Sequence, residues 1–300
     1  MYTVLGATGH IGSIITRVLL SKGEKVRVLG RSASRLQPLV QAGAEASIGE
    51  ITDLRTLTKA LTGVRAAFLM IPPHMTSPDY RAEQEHTSDV LSAAAKNSDL
   101  RYAVNLSSIG AQAPSGTGPI LGQHSSEQKL NAIDRLNVLH LRPAYFFENH
   151  LSAISMIQMM GVFGGALDGE LKIPMIATRD IGAYAAKRLL DLDFSGRCSQ
   201  QLYGQRDLSM YEVAAIVAKA LGKPELRYAR FPYEQVEQVL IQMGTPVKTA
   251  ACFIEMFRGI NDGIVVGTEP RTEENTTPTT FEQFATEVFV PAYQGKAVGA

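Results

Sequence analysis

Three glycines near the start of the chain have the spacing of a turn that binds dinucleotide phosphates. Gly6, Gly9 and Gly12 lie between a short apolar segment and a stretch in which isoleucine, valine and leucine recur at helical spacing. In such a unit the first glycine permits the tight turn, the second lets the backbone approach a pyrophosphate, and the third lets helix and sheet pack closely. The amides of the first helical turn then face the phosphates, whereas the alternative is a plain strand–helix turn. The predicted binding residues are Gly6, Ala7, Thr8, Gly9, His10, Ile11 and Gly12.

The end of the second predicted strand distinguishes between the two nicotinamide dinucleotides. An Asp or Glu there would bind the ribose 2′-hydroxyl of NAD. This chain instead has Arg31 after the strand and Arg35 one helical turn later, and guanidinium groups form charge-assisted hydrogen bonds with a 2′-phosphate. The residues therefore favour NADP(H), the alternative being that both arginines only solvate the start of a helix.

The elements that must position these residues alternate in type through the first half of the chain. Apolar runs predict strands, and segments of helical periodicity lie between them. Because parallel strands need crossover connections, the alternation predicts an α/β fold, a doubly wound parallel sheet of the Rossmann type. The predicted strands are 2–5, 25–29, 45–48, 66–71, 102–107 and 138–142, and the predicted helices between them end near 22, 41, 62, 97 and 134.

Helices dominate the second half of the chain. Capping boxes are predicted at Ser209 with Glu212 and at Thr279 with Glu282. We therefore predict an NADP-binding Rossmann domain over 1–150 and a smaller, mostly helical substrate lobe over 151–300, parts of which return to the sheet. The predicted helices are 145–160, 179–191, 209–221, 233–243 and 280–289, with short strands at 200–203 and 225–229.

The glycine spacing resembles the short-chain dehydrogenase/reductase superfamily, in the form of its extended and atypical members. That superfamily uses a serine followed by YxxxK, but none of the ten tyrosines here has a lysine four residues later. Ser107 ends the fifth predicted strand, where the resemblance places the serine; Ile120 then occupies the tyrosine position and His124 the lysine position. The resemblance implies that His124 binds the nicotinamide ribose or donates a proton, the alternative being a surface histidine without a role. Glu50 lies where the superfamily has an acid near the adenine.

Several further segments are similar to the NmrA-like family of atypical short-chain dehydrogenases/reductases, and their order and spacing cover about 1–290. They are His124 with Gln128, LRPAYFFEN at 141–149, RDIGAYAAKRLLD at 179–191 and YGQRDLSMYEVAAIVAKALGKP at 203–224. Members with this histidine usually read HxxxE, so Gln128 is a departure. The ether-reductase branch has a lysine at position 124, which argues against that branch.

The resemblance also implies where the cofactor and substrate lie. The segment after LRP passes the nicotinamide, with Phe147 and Asn149 on the substrate side. The implied cofactor contacts beyond the glycine turn are Arg31, Arg35, Glu50, Ile71, Pro72, Pro143, Ala144, Tyr145 and Phe146, and the implied catalytic residues are Ser107 and His124. The family contains NADPH-dependent quinone oxidoreductases, dye reductases and NADP-sensing regulators. We therefore expect an NADPH-dependent reductase of a conjugated apolar acceptor such as a quinone, or else a redox sensor that binds NADP(H) without catalysis.

Composition restricts the partners of this protein. The 29 basic and 29 acidic residues balance, so the chain lacks the basic field of a dedicated nucleic-acid binder. Two distant cysteines exclude a disulfide framework and predict a reducing, cytoplasmic location. Neither a metal-binding motif nor a membrane span is predicted. The isoelectric point near 7.0 permits self-association, and a homodimer stays open.

Overall fold

A parallel sheet of seven strands forms the centre of the protein in a computed structural model, which describes residues 1–296. The strands of the chain are β1 Tyr2–Val4, β2 Val26–Gly30, β3 Glu45–Ile48, β4 Ala66–Leu69, β5 Tyr102–Leu106, β6 Asn137–Pro143, β7 Tyr145–Phe146, β8 Phe163–Gly165, β9 Ile173–Ile176, β10 Arg197–Leu202, β11 Asp207–Leu208 and β12 Tyr228–Arg230. The central sheet has the order β10-β6-β5-β4-β1-β2-β3, and every neighbouring pair is parallel.

Helices follow most of the strands and supply the crossovers that parallel pairing requires. A 3₁₀ segment, Phe147–Ala153, precedes the sixth helix, and a π-helical turn, Ala285–Phe289, joins the last two. The helices are α1 His10–Ser21, α2 Ala33–Gln41, α3 Leu54–Leu61, α4 Tyr80–Asn97, α5 Ile120–Asn131, α6 Ile154–Met160, α7 Thr178–Asp191, α8 Met210–Leu221, α9 Tyr233–Gln242, α10 Val247–Asn261, α11 Phe281–Phe284 and α12 Val290–Tyr293.

Successive residues of a strand point to opposite faces of the sheet. Helices cover both faces of the central sheet, so residues on either side are buried. Val28 and Phe68 belong to the core that contains α1, α2 and α7. Their neighbours Leu29 and Leu69 belong to the core that contains α3 and α4. Helical layers on both faces of a parallel sheet confirm the predicted doubly wound α/β fold.

The strand order reverses around β1, which has β2 on one side and β4 on the other. In an open α/β sheet, the crevice beyond the carboxyl ends of the strands at such a switch point is where ligands bind. The glycine turn, the residues after β2 and the residues after β4 all lie at this crevice. Topology thus places together the segments that the sequence singled out.

The second half of the chain is divided between the sheet and a separate lobe. β10 extends the central sheet by pairing with β6, and α7 packs against α1. The rest forms its own core around α8 and the last helices, together with two small sheets, β11-β9-β7 and β12-β8. A boundary at residue 150 therefore does not separate the sheet from the lobe.

Two local predictions for the second half were wrong, and one helix was missed. The predicted helix 145–160 begins as a strand, because Tyr145 and Phe146 pair with β9 instead of continuing helically. The helix α10, Val247–Asn261, was not predicted. The last capping box uses Thr280 and Gln283 instead of the predicted Thr279 and Glu282, whereas that of Ser209 is confirmed.

No helix within residues 1–296 is both long enough and apolar enough to cross a membrane. Both cysteines, Cys198 and Cys252, are free thiols.

Candidate active site

The glycine turn leads into α1, whose first-turn N–H groups have no hydrogen-bond partner within the helix. Gly6 has a φ of +62°, the left-handed conformation that glycine adopts without strain. Gly9 is the N-cap of α1 and offers no side-chain capping bond, so first-turn N–H groups remain open to a ligand. Open N–H groups at the start of a helix are the arrangement that the sequence predicts for binding phosphate.

The second and third glycines of the turn have different surroundings. A Cβ added to Gly12 would lie 2.3 Å from the carbonyl oxygen of Gly6, so contact between α1 and β1 excludes any side chain there. A Cβ added to Gly9 would meet only that same oxygen, at an ordinary 3.4 Å. The surrounding protein therefore leaves room for a Cβ atom at position 9.

A cavity of about 630 Å³ extends from the glycine turn past the ends of β2, β3 and β4; we call it the cofactor cavity. Arg31 lies at its edge, with Nε 4.0 Å from a carboxylate oxygen of Glu50. Of the predicted cofactor residues, those that line this cavity are Gly6, Thr8, Arg31, Arg35, Glu50 and Pro72. The residues present fit the adenosine half of a dinucleotide with a 2′-phosphate.

Sequence reasoning missed five polar residues of the cofactor cavity, namely Ser32, Thr52, His74, Glu83 and Thr87. The Ser32 hydroxyl caps α2 by accepting a hydrogen bond from the Arg35 amide, which fixes the turn beside Arg31. His74 and Glu83 also line the cavity, with Nδ1 of the histidine 2.7 Å from the carboxylate. A serine directly after a strand was a usable signal, but the His74–Glu83 pair depends on how the segment after β4 folds.

A second cavity, of about 500 Å³, lies beside residues 144–149 and has largely apolar walls; we call it the acceptor cavity. Its walls come from the segments after β4 and β5, from β7 with its following residues, from β9, and from the helices α5, α9 and α10. The side chains and backbone that line it are Met75, Ser108, Ile109, Ile120, Ala144, Tyr145, Phe146, Glu148, Asn149, Ser152, Ile173, Pro174, Leu240, Phe253, Met256, Phe257, Ile260 and Val265.

The two cavities share one loop, the segment after β4. His74 of this loop lines the cofactor cavity, and the next residue, Met75, lines the acceptor cavity. The loop is anchored to α10, because the hydroxyl of Thr249 donates to the carbonyl oxygen of Ser77 at 2.6 Å. A cofactor in the first cavity would therefore have the second cavity as its neighbour.

Some residues predicted to bind lie outside both cavities in the described part of the chain. Phe147 is buried in the core of the lobe, with its ring perpendicular to that of Phe281 at 5.0 Å. The 3₁₀ turn that begins at Phe147 directs this side chain inward, which the substrate-side prediction did not anticipate. Ile71 and Pro143 are likewise buried, at the ends of β4 and β6.

The Ser107 hydroxyl is hydrogen-bonded to a buried ion pair. Its hydroxyl donates to Glu127 at 2.5 Å, and Arg142 holds the same carboxylate through two hydrogen bonds. Although burial opposes ionisation, the hydrogen bond from Arg142 keeps the pKa of Glu127 below its ordinary value. Ser107 thus supports the network, and its neighbour Ser108 lines the acceptor cavity.

His124 lies on α5 with Nδ1 2.8 Å from the carbonyl oxygen of Ala111. Its half-buried ring is not among the described residues that line either cavity. Ile120, one helical turn earlier, does line the acceptor cavity. An apolar side chain therefore occupies the wall where the superfamily resemblance places a tyrosine.

The acidic residue at the acceptor cavity is Glu148, which sequence reasoning did not single out. Its carboxylate accepts hydrogen bonds from the backbone N–H of Thr178 at 3.1 Å and from the Thr178 hydroxyl at 2.6 Å. Burial raises the pKa of Glu148, and the hydrogen bonds from Thr178 only partly oppose this. Burial also raises the pKa of the neighbouring Tyr145 to about 12, so that phenol stays protonated.

Comparison with known proteins identifies the family. The sequence profile of the NmrA-like family matches residues 2–285. The chain belongs to this family. An NAD(P)H azoreductase of Xenophilus azovorans is 30% identical over 259 residues, which is 86% of each chain. The uncharacterized oxidoreductase YesF of Bacillus subtilis is 25% identical over 90% of this chain and 91% of its own.

Solved structures of two oxidoreductases have the same fold. The NADPH-dependent quinone oxidoreductase QOR2 of Escherichia coli, complexed with NADPH, matches with a TM-score of 0.81 at 22% identity and covers 96% of this chain and 100% of its own. The triphenylmethane reductase of Citrobacter sp. matches with a TM-score of 0.75 at 17% identity over 96% of this chain and 99% of its own.

Proposed function

We propose that this protein is an NADPH-dependent oxidoreductase that reduces a flat, conjugated, apolar acceptor such as a quinone or an azo compound. The observation that carries the proposal is the pair of cavities joined by one loop: an anion-binding glycine turn with arginines on one side, and an apolar cavity on the other. The names of the relatives support it, because NAD(P)H azoreductase and quinone oxidoreductase both describe reduction of conjugated acceptors.

Different residues bind the cofactor in one cavity and the acceptor in the other. When bound, NADPH supplies a hydride to the acceptor. The α1 amides hold the pyrophosphate, and Arg31 with Arg35 holds the 2′-phosphate. Tyr145 and Phe146 orient the acceptor, and the apolar walls exclude water from it. We also propose a cytoplasmic location, which suits the two free thiols.

Turnover against a graded panel of acceptors tests the proposal. NADPH oxidation should be fast with neutral quinones and azo compounds, and slow with sulfonated analogues of equal size, because few polar groups line the acceptor cavity. Equal rates with neutral and sulfonated acceptors would contradict the assignment of the apolar cavity. Tight NADPH binding without oxidation by any acceptor would favour the redox-sensor alternative.

Arg31→Ala is expected to weaken NADPH binding by about 1.5–3 kcal/mol, the scale of a hydrogen bond to a charged group. NADH affinity should stay nearly constant, because NADH lacks the 2′-phosphate. Isothermal titration calorimetry with both cofactors measures the difference, and Arg55→Ala, at the start of α3, is the matched control for a lost surface charge. Equal losses for NADPH and NADH would show that Arg31 does not contact the 2′-phosphate.

A further inference from the structure

Glu148 carries the one ionisable carboxyl group among the described residues that line the acceptor cavity. It lies two residues after Phe146, which the proposed function uses with Tyr145 to orient the acceptor. Resting on that proposed function, we propose that Glu148 donates the proton that accompanies reduction of the acceptor. It would be the catalytic acid of a family member that lacks the YxxxK tyrosine.

The carboxyl group is held in place by the first residue of α7. Thr178 donates its hydroxyl to Oε1 of Glu148 at 2.6 Å, and its backbone N–H lies 3.1 Å from both carboxylate oxygens. Thr178 is itself buried, so these bonds are shielded from water. The group is therefore fixed at the cavity wall instead of free to leave it, which general acid catalysis requires.

The serine hydroxyls near the cavity and the imidazole of His124 have hydrogen-bond partners of their own, and Ser152 donates to the carbonyl oxygen of Asn149 at 2.7 Å. Ser107 donates to Glu127, and Ser108 donates to the carbonyl oxygen of Ile109 at 2.9 Å. His124 bonds the carbonyl oxygen of Ala111. The high pKa of Tyr145 makes its phenol a poor acid at neutral pH. The imidazole of His150 packs against Tyr145, but burial lowers its pKa to about 3 and it does not line the cavity, whereas Glu148 does.

The step balances in atoms and charge. The hydride that bound NADPH would supply comes from a C–H bond of its nicotinamide, which breaks and leaves NADP+. This hydride forms one bond to the acceptor and leaves an electron pair on the oxygen or nitrogen of the acceptor. The O–H bond of Glu148 breaks as that electron pair takes the proton, so the acceptor gains two electrons and two hydrogens in all. One proton taken up from the solvent at the cavity mouth then restores the Glu148 carboxyl group, and the cycle is complete once NADP+ has left.

Protonation of Glu148 sets the expected pH dependence. Burial raises its pKa, whereas the Thr178 hydrogen bonds and the facing imidazole of His10 on α1 lower it. The neighbouring charges of α7 are engaged elsewhere, Arg179 with Glu287 and Asp180 with Thr279. Because the acid form is the active one, turnover should fall as the pH rises through the Glu148 pKa.

A titration that does not depend on turnover tests the carboxyl group directly. Protein labelled with ¹³C at glutamate carboxyl carbons is titrated by NMR, and Glu148→Gln identifies the resonance by removing it. We expect its pKa above the range of the exposed glutamates. Thr178→Val removes the hydroxyl donor to the carboxylate and should move this pKa further upward. A resonance that titrates with the exposed glutamates would overturn the proposal.

Kinetics then tests the proton transfer. Glu148→Gln keeps the side-chain size and a carbonyl acceptor for Thr178, yet should lower kcat for an aldehyde acceptor by about 10²-fold and abolish the alkaline decline of the pH profile. The kcat for a readily reduced quinone should fall less, because the hydroquinone anion formed from it is stabilised. Thr178→Val should shift the alkaline decline to higher pH. Asp180→Asn, which alters another carboxylate in the first turn of α7, should leave it in place.

The outcomes separate this inference from the proposed function. If the wild-type protein fails to oxidise NADPH whichever acceptor is added, the proposed function and this inference are both wrong. If it turns over but Glu148→Gln keeps the wild-type pH profile and kcat, the proposed function stands and the proton donor is not Glu148. The same conclusion follows if the alkaline decline disappears in His124→Ala instead. A change in KM or stability alone would mean that Glu148 only holds α7 in position.

Discussion

Gly9→Val is expected to abolish NADPH binding while the protein still folds. The backbone at Gly9, with φ −93° and ψ 173°, is extended and open to a β-branched residue. A Cβ there meets only the Gly6 oxygen at 3.4 Å, so the protein can accept the side chain. The valine methyl groups would instead occupy the space that the pyrophosphate needs. Calorimetric titration with NADPH, alongside circular dichroism, measures both parts of this expectation.

Gly12→Val provides the contrasting control. Its Cβ would lie 2.3 Å from the Gly6 carbonyl oxygen, inside the contact between α1 and β1. This variant should unfold at markedly lower denaturant concentration, because the helix must move away from the sheet. If folded Gly9→Val keeps its NADPH affinity, residues 6–12 form only a structural turn.

Arg142→Met is expected to lower the free energy of unfolding by about 3–5 kcal/mol, because it leaves the Glu127 carboxylate buried without its partner. The Glu127 side chain is 3% exposed and that of Arg142 15%, so water cannot replace the ion pair. Urea denaturation of the variant and the wild type measures the difference. A loss below about 1 kcal/mol, typical of a surface pair, would contradict the assignment.

The pH dependence of this loss provides a second check. The pKa of Glu127 lies below its ordinary value of 4.5, so the pair stabilises the protein above that pH and loses its effect as the pH falls through the lowered pKa. The difference between wild type and Arg142→Met should therefore shrink in acid. The double variant Glu127→Leu with Arg142→Met should recover part of the loss, since no buried charge then remains unpaired.

The first half of the fold could be predicted because its signals are local. Apolar runs predict the strands and helical periodicity predicts the helices between them. Gly6, Gly9 and Gly12 mark the turn between the first strand and the first helix. The second half depends on contacts between distant segments. Tyr145 forms a strand only because Met175 is its partner, and nothing local to residues 145–160 encodes that pairing.

The same difference separates the two halves of the candidate site. The cofactor residues follow strands directly, so their position could be read from the order of elements. Glu148 becomes a candidate acid only because Thr178, thirty residues later, begins a helix against it. Conversely, Ser107 occupies the position where the resemblance implies a catalytic serine, yet its hydroxyl donates a hydrogen bond to Glu127 of α5. Position along the chain identifies a side chain, but its hydrogen-bond partners decide what it can do.

A single-turnover experiment tests the central claim that the protein transfers hydride from NADPH to a conjugated acceptor. The protein is loaded with one equivalent of NADPH without oxygen and mixed with an excess of a neutral quinone, and the nicotinamide absorbance and the hydroquinone formed are followed together. Our account predicts that one equivalent of NADPH disappears as one equivalent of hydroquinone forms, faster than in buffer and not in Gly9→Val. NADPH that stays bound and unoxidised in the presence of quinones, azo compounds and aldehydes alike would contradict it.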